Sequence, residues 1–353
     1  MATKIGIWLP MFGGWLRNVE DERMDWTFDY NQRVAQAADR LGFSTILVAE
    51  LNLNDMKGID APCIEAWTTI AALAATTKRI RLMAAVRPGF RLPAVVAKEA
   101  ANIDHISKGR FELNLVSAWW KEEMEMYVGG WMDHTERYRR SREFVRVMRG
   151  AWTQPVFDFD GEFYKAKGCV LEPKPVQRPW IPIYAGGESD EGRDMIASEC
   201  DAYLMHGDSL EVVQSYIADM RARRERFGGP PLVFGMAAYI ICRETQREAE
   251  EELKRITNVR ASQRSYDSYR AFVAGTKMRT QVSLEDYSVS NRGLRPGLVG
   301  TPEQIAERIH AYQALGLDLI LAQFSPMHEE IEFIGKQLLP LLDGHRGVAA
   351  SAA

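Results

Sequence analysis

The chain has 353 residues, 46% of them hydrophobic and 26% charged, with a formal net charge of -4 and a pI near 6.0. That balance supplies a large core, and the charges are interspersed instead of gathered into basic blocks, which argues against a nucleic-acid-binding surface. Cys63, Cys169, Cys200 and Cys242 stand far apart with no C-x-x-C pair, so neither a disulfide framework nor a zinc site is indicated.

No run of some 18 apolar residues marks a membrane span. The first ten residues read as a short strand with no basic n-region, and a soluble cytoplasmic protein is expected. A strand over 4–9 precedes a helix over 30–41, where Val34, Ala37, Ala38 and Leu41 keep helical spacing and Gly42 ends the run. A strand over 44–49, a helix over 64–76, a strand over 80–86, a helix over 93–106 opening on Pro93, and a strand over 111–116 follow. A helix over 136–152 completes four β-α units. Further strands over 181–184, 202–205, 232–241 and 317–322 alternate with helices over 192–198, 210–226, 246–255 and 302–315. Eight strands in strict alternation predict an α/β chain closed into one (β/α)8 TIM barrel. Residues 1–345 are expected to form a single domain and 346–353 a disordered tail. Two insertions stand outside the alternation. Residues 157–179 read as a hairpin turning at Asp160-Gly161 followed by a Pro-rich run, and 260–296, polar and aperiodic, as a mobile lid.

Active sites of such barrels lie at the C-terminal ends of the strands. Glu50 and Leu51 follow the second strand, Arg87 the third, and Trp119, Trp120 and Glu123 the fourth, in which alternation turns Asn114 opposite to Leu113 and Leu115. The fifth strand runs into Gly186-Gly187-Glu188-Ser189. Glycine there lets the backbone approach a bound group, and the free amides and positive dipole end of the next helix favour a phosphate. An ordinary turn with a serine N-cap is the plain alternative for this tetrapeptide taken by itself. Its position after strand five, with His134, Arg137 and Tyr138 on one face of the preceding helix, favours the phosphate. His206 ends the sixth strand and is a candidate for proton transfer or substrate contact. Tyr239 and Phe324 belong to the seventh and eighth strand ends, and Arg292, like Arg295, to the polar stretch. Six histidines with no His-x-His at a strand end give no metal-ligand set.

Gly109-Arg-Phe-Glu-Leu-Asn-Leu-Val116, Arg137-Tyr138, Gly186-Gly187-Glu188-Ser189 and Leu298-Val-Gly-Thr-Pro302 occur in that order along essentially the whole chain. Together they resemble the bacterial luciferase-like flavin monooxygenases, above all the reduced-FMN-dependent dimethyl sulfone and alkanesulfonate enzymes. The resemblance implies a two-component monooxygenase that takes reduced FMN from a separate NAD(P)H-dependent flavin reductase and oxidises a small organosulfur compound. The lack of a Gly-x-Gly-x-x-Gly fingerprint agrees with a borrowed reductant. It places Arg137, Tyr138, Gly187 and Ser189 on the FMN phosphate and Asn114 at the polar edge of the flavin ring. Glu50, Leu51 and Glu123 fall on flavin-contacting positions, and Asn114, His206 and Arg292 are the catalytic candidates. Arg87 points toward a sulfonate or sulfinate. Ala237 and Tyr239, however, stand where the alkanesulfonate enzymes carry a histidine and an arginine, which favours a neutral substrate. Trp119, Trp120, Tyr239 and Phe324 line the expected substrate pocket. A pyrimidine-opening monooxygenase, disfavoured by Ala85 where that relative has threonine, and a deazaflavin-dependent dehydrogenase are the alternatives. A homodimer or homotetramer, paired through the helices over 64–75 and 95–106, is implied.

Overall fold

The structure, a computed structural model, describes residues 3–19, 21–117, 119–258, 283–289 and 293–342. Eight short apolar runs form the parallel strands β1 (Lys4–Trp8), β2 (Thr45–Val48), β3 (Arg81–Val86), β4 (Phe111–Leu115), β5 (Ile183–Ala185), β6 (Ala202–Met205), β7 (Val233–Tyr239) and β8 (Leu319–Gln323). They close into a barrel in sequential order, with β1 sealed against β8 from Lys4 opposite Leu319 to Ile7 opposite Ala322. The expected (β/α)8 barrel is therefore the observed fold.

Strand alternation divides the core in two. Outward residues such as Ile5, Ile7, Ile46, Val48, Leu82 and Phe111 pack beneath the helices. Inward residues Leu47, Met83, Tyr184, Leu204, Leu319 and Leu321 fill the barrel, with Trp8 packed on them. At the N-terminal end the floor is polar: Glu112 pairs with Arg81 and accepts from Thr45 Oγ1 at 3.2 Å. The opposite end is left to function.

The helices follow from their caps. Helix α1 (Phe28–Leu41) ends at Gly42 in the left-handed region at φ 90°, α2 spans Ala66–Thr76, and α3 (Pro93–Ser107) opens on proline. After β4 come a short α4 (Lys121–Val128) and α5 (His134–Thr153). The latter starts two residues earlier than the periodicity predicts, because Asp133 and Glu136 form a capping box. Helices α6 (Asp190–Glu199), α7 (Leu210–Phe227), α8 (Gln246–Ile256), α9 (Pro302–Leu315) and α10 (Met327–Phe333) complete the layer.

The expected strand over 232–241 is two elements. β7 stops at Tyr239, the Ile240 amide still donates to Gln323, and the Ile241 amide turns away to Leu298, so Ile241–Cys242 pairs with Val299–Gly300 outside the barrel. The predicted hairpin is present as Phe157–Asp160 against Lys165–Cys169. It braces α5: Glu143 accepts from the amides of Glu162, Phe163 and Tyr164, and the Tyr164 hydroxyl donates to Pro88 O at 2.8 Å. Of the expected lid, only 283–289 and 293–296 are described. They contain a one-turn helix, Leu284–Ser288, and a bridge from Val289 to Leu16. The rest of 260–296, and the whole of 346–353, lie outside the described residues. Among the described residues no helix is long and apolar enough to cross a membrane.

Gly6 shows how tightly the β1–β2 contact is drawn, since a Cβ there meets Thr45 Cγ2 at 2.6 Å and Thr45 O at 2.7 Å. Gly6→Ala is expected to destabilise the barrel by about 1–3 kcal/mol through overpacking. Urea unfolding measures this, and an unchanged midpoint contradicts the packing described.

Candidate active site

The turn after β5 and the first turns of α5 meet at the C-terminal mouth. Ser189 is the N-cap of α6, its Oγ accepting from the Gly192 amide at 3.1 Å, so the plain cap reading is realised. The same side chain also hydrogen-bonds the Tyr138 hydroxyl. Gly187 lies under that hydroxyl, where a Cβ comes to 3.0 Å, and its carbonyl accepts from Tyr203 at 3.1 Å. Burial raises the Tyr138 phenol above its ordinary range, so it stays protonated and able to donate at neutral pH. Arg137 stacks on Trp131 at 4.3 Å, and its Nε donates to Asp133 O at 3.3 Å. His134 packs edge-on against Tyr138, so the helical face read from spacing is real. A helix N-terminus, two hydroxyls and a guanidinium thus gather at one turn, the donor set that suits a phosphate.

Further into the barrel, Asn114 is buried and its Oδ1 finds no hydrogen-bond partner among the described residues. Trp8, which the sequence reading passed over, is the last residue of β1, and its Nε1 is likewise buried without a partner. His206 stands at the end of β6. Nearly half its side chain reaches solvent, while desolvation, set against the nearby Asp208, lowers its pKa to about 4. At neutral pH the ring is therefore uncharged, and its 4.0 Å approach to Glu188 is no ion pair.

The second cluster brings several of the expected site residues into contact with one another. Arg87, expected to meet an anionic substrate, is 1% exposed, with both terminal nitrogens on the Glu123 carboxylate and its amide donating to Glu50 at 2.6 Å. Glu123, expected at the flavin, is fully buried and also accepts from the Asn52 amide at 2.5 Å. Glu50 turns its other oxygen to Arg91. These groups are joined to one another. Leu51 is buried, and its carbonyl is approached by the Cys63 thiol at 3.9 Å. Burial and the neighbouring Glu123 push that thiol up to about 11, so it is protonated and inert at neutral pH.

Trp119 and Trp120 stack at 5.6 Å, with Trp119 largely exposed. Tyr239 and Phe324 are each 1% exposed and packed into the core, so neither lines open space. For Phe324 the reason is alternation: Gln323 points inward at the end of β8, and the next residue points out. Arg292 lies outside the described residues, whereas Arg295 is held between Asp286 and Asp208. An open recess of about 200 Å³ lies on the β7–β8–β1 side of the rim. Within it Arg243 pairs with Glu330 at 2.7 Å and Arg255 with Glu252 at 2.7 Å. Among the described residues no cluster of three or more His, Cys, Asp or Glu side chains forms a metal site.

A family model described as luciferase-like monooxygenase matches residues 3–319. The chain is 36% identical over 362 residues to an FMNH2-dependent dimethylsulfone monooxygenase of Pseudomonas putida, covering 99% of each chain. A protein of the same description from Pseudomonas fluorescens (strain Pf0-1) is 36% identical over 360 residues, covering 99% of this chain and 97% of that one. The crystal structure of DmoA from Hyphomicrobium sulfonivorans superposes with a TM-score of 0.78 at 16% identity, over 96% of this chain and 87% of that one.

Two expectations follow from the geometry. Glu123→Gln leaves the Arg87 charge buried against a neutral amide, and a stability loss of about 3–5 kcal/mol is expected in chemical denaturation; a change within about 0.5 kcal/mol is what a solvated helix residue gives. The His206 ring should titrate in NMR near 4. The unfolded chain binds that proton near 6.5 and the folded chain only near 4, so the unfolded state holds more protons in between. This group's stabilising contribution is thus fully present above 6.5 and is lost as the pH falls toward 4. A midpoint at 6.5 contradicts the desolvation described.

Proposed function

The chain belongs to the luciferase-like monooxygenases, and from that membership we propose that it uses reduced FMN and O2 to oxidise a small organosulfur compound, dimethyl sulfone before any other. The observation that carries the cofactor reading is the pairing of the Tyr138–Ser189–Gly187 turn with the unpartnered Asn114 carbonyl deeper in the same mouth. A flavin mononucleotide offers the two complementary groups, a phosphate and a ring edge bearing N–H donors.

Reduced FMN supplies the two electrons and two protons that activate O2. In the balanced reaction dimethyl sulfone, O2 and reduced FMN give methanesulfinic acid, formaldehyde, water and FMN. One oxygen atom leaves on the carbon whose bond to sulfur breaks, and the other leaves as water. The chain's own residues bind and shield. The Tyr138 and Ser189 hydroxyls donate to phosphate oxygens, the α6 dipole and Arg137 add positive potential, and Asn114 orients the ring. The stacked Trp119 and Trp120 cover the entrance and limit water. His206, neutral at working pH, can hydrogen-bond in the mouth without adding charge.

Substrate charge follows from the arginines. Arg87 is committed to Glu123 and Arg295 to Asp286 and Asp208, so two guanidiniums suited to an anion already hold carboxylates. This supports a neutral sulfone over an alkanesulfonate. The two relatives at 36% identity carry FMNH2 in their descriptions, which supports FMN over a deazaflavin. Reduced FMN is taken to come from a separate flavin reductase, and the cytoplasmic, oligomeric enzyme expected from the sequence is retained as part of the proposal. Leu92, Val95 and Ile106, exposed on or beside α3, are available for pairing.

The test is anaerobic titration with reduced FMN, then addition of O2 and dimethyl sulfone with detection of methanesulfinate. Combined Ser189→Ala and Tyr138→Phe is expected to weaken reduced-FMN binding by about 1–3 kcal/mol, the scale of hydrogen bonds lost to a charged group. Failure of the wild type to bind reduced FMN, or turnover with a deazaflavin in the absence of O2, overturns the reading.

A further inference from the structure

Trp8 carries a donor that the fold leaves unused. Its ring packs on the inward cluster at the mouth end of β1 and lies 5.9 Å edge-on to Trp15. Other buried indoles in this chain are satisfied: Trp15 Nε1 donates to Met327 Sδ at 3.3 Å, Trp67 to Ala85 O at 3.0 Å and Trp152 to Ala97 O at 2.9 Å. Trp8 Nε1 is buried and has no acceptor among the described residues. A buried donor is disfavoured unless something supplies its acceptor.

Among the described residues, Trp8 Nε1 and Asn114 Oδ1 are orphaned polar atoms on the inward face at strand ends, and they are of opposite kind. Asn114 Oδ1 can only accept, and Trp8 Nε1 can only donate. A neutral sulfone has two sulfonyl oxygens that accept and no N–H or O–H to donate, so of these two atoms it can satisfy only the indole. The N–H groups of a reduced flavin ring are what the amide carbonyl needs.

We propose that Trp8 is a specificity-determining residue whose indole N–H donates a hydrogen bond to a sulfonyl oxygen of the bound substrate. The inference rests on the reduced-FMN sulfone reading above and assigns within it the residue that recognises the oxidised sulfur. It gives a reason for preferring a sulfone over a sulfide of the same shape, because the sulfide has no oxygen to meet the donor.

Trp8→Phe keeps an aromatic ring and deletes the N–H. At saturating reduced FMN, KM for dimethyl sulfone is expected to rise about tenfold, the scale of one hydrogen bond lost to a buried acceptor. The inhibition constant of dimethyl sulfide should stay within about twofold on the same reasoning, as should the affinity for reduced FMN. Replacing Trp8 with benzothienylalanine, which puts sulfur where the N–H was and keeps the ring's size, gives the same readout if the phenylalanine variant folds poorly. An unchanged KM overturns the proposal. Equal losses for sulfone and sulfide overturn it too, as the mark of a shape effect, and a loss confined to reduced-FMN affinity moves the indole to the flavin. If the wild type turns over and only the Trp8 result is negative, this inference fails alone; if the wild type binds no reduced FMN, the functional reading fails first.

Discussion

The mouth of this barrel depends on one buried ion pair, Arg87 with Glu123, closed from the other side by Glu50. The pair joins three segments at the mouth: the end of β3, helix α4, and the stretch after β2 that is reached through the Asn52 amide. Charges removed from water this completely are tolerated only when each finds its partners, and here both terminal nitrogens of the guanidinium donate to one carboxylate, with the Phe90 ring 3.9 Å away. With α4 fixed, Met124 presses on Gly89 so closely that a Cβ there comes to 2.1 Å from Met124 Cε, which holds the β3–α3 turn in place.

This arrangement sets the electrostatic character of the site. A mouth that displayed the Arg87 charge would draw anions to its centre, whereas the neutralised pair leaves the centre to uncharged groups and the positive potential to the periphery. There the start of α6, Arg137 and the Tyr138 and Ser189 hydroxyls share one turn, a donor set suited to an anion at the edge, while the interior suits uncharged groups. Asp190 and Glu191 stand in the first turn of α6, and the Glu191 charge acts on Tyr138 against this division. Asp190 is held by Arg193 and Arg223, and so its charge is balanced from the outer layer.

Much of this was legible in the sequence, because it is local. The strand and helix periods, the Gly186-Gly187 turn, Gly42 as a helix stop and the shared face of His134, Arg137 and Tyr138 all depend on residues within a few positions of one another. The Arg87–Glu123 pair was not legible. Its partners are 36 residues apart, and the acidic run 121–125 has the composition of a solvated helix until α4 is folded against the mouth. Trp8 and Phe324 were readable in principle: the alternation that turned Asn114 inward, applied to β1 and β8, turns Trp8 inward and Phe324 outward. Ending the expected strand at 241 concealed the break at Tyr239, where the chain leaves the barrel ladder for Leu298, a partner some 60 residues ahead that strand propensity cannot reveal.

The central claim is that one mouth holds a phosphate at its edge and a flavin ring on Asn114. A crystal structure of the protein grown anaerobically with reduced FMN tests it most directly. The account predicts the phosphate within hydrogen-bonding distance of Tyr138, Ser189 and the start of α6, with a ring N–H on Asn114 Oδ1. A phosphate seated elsewhere, as among the arginines of the recess beside Glu330, or a ring that leaves Asn114 unpartnered, contradicts it.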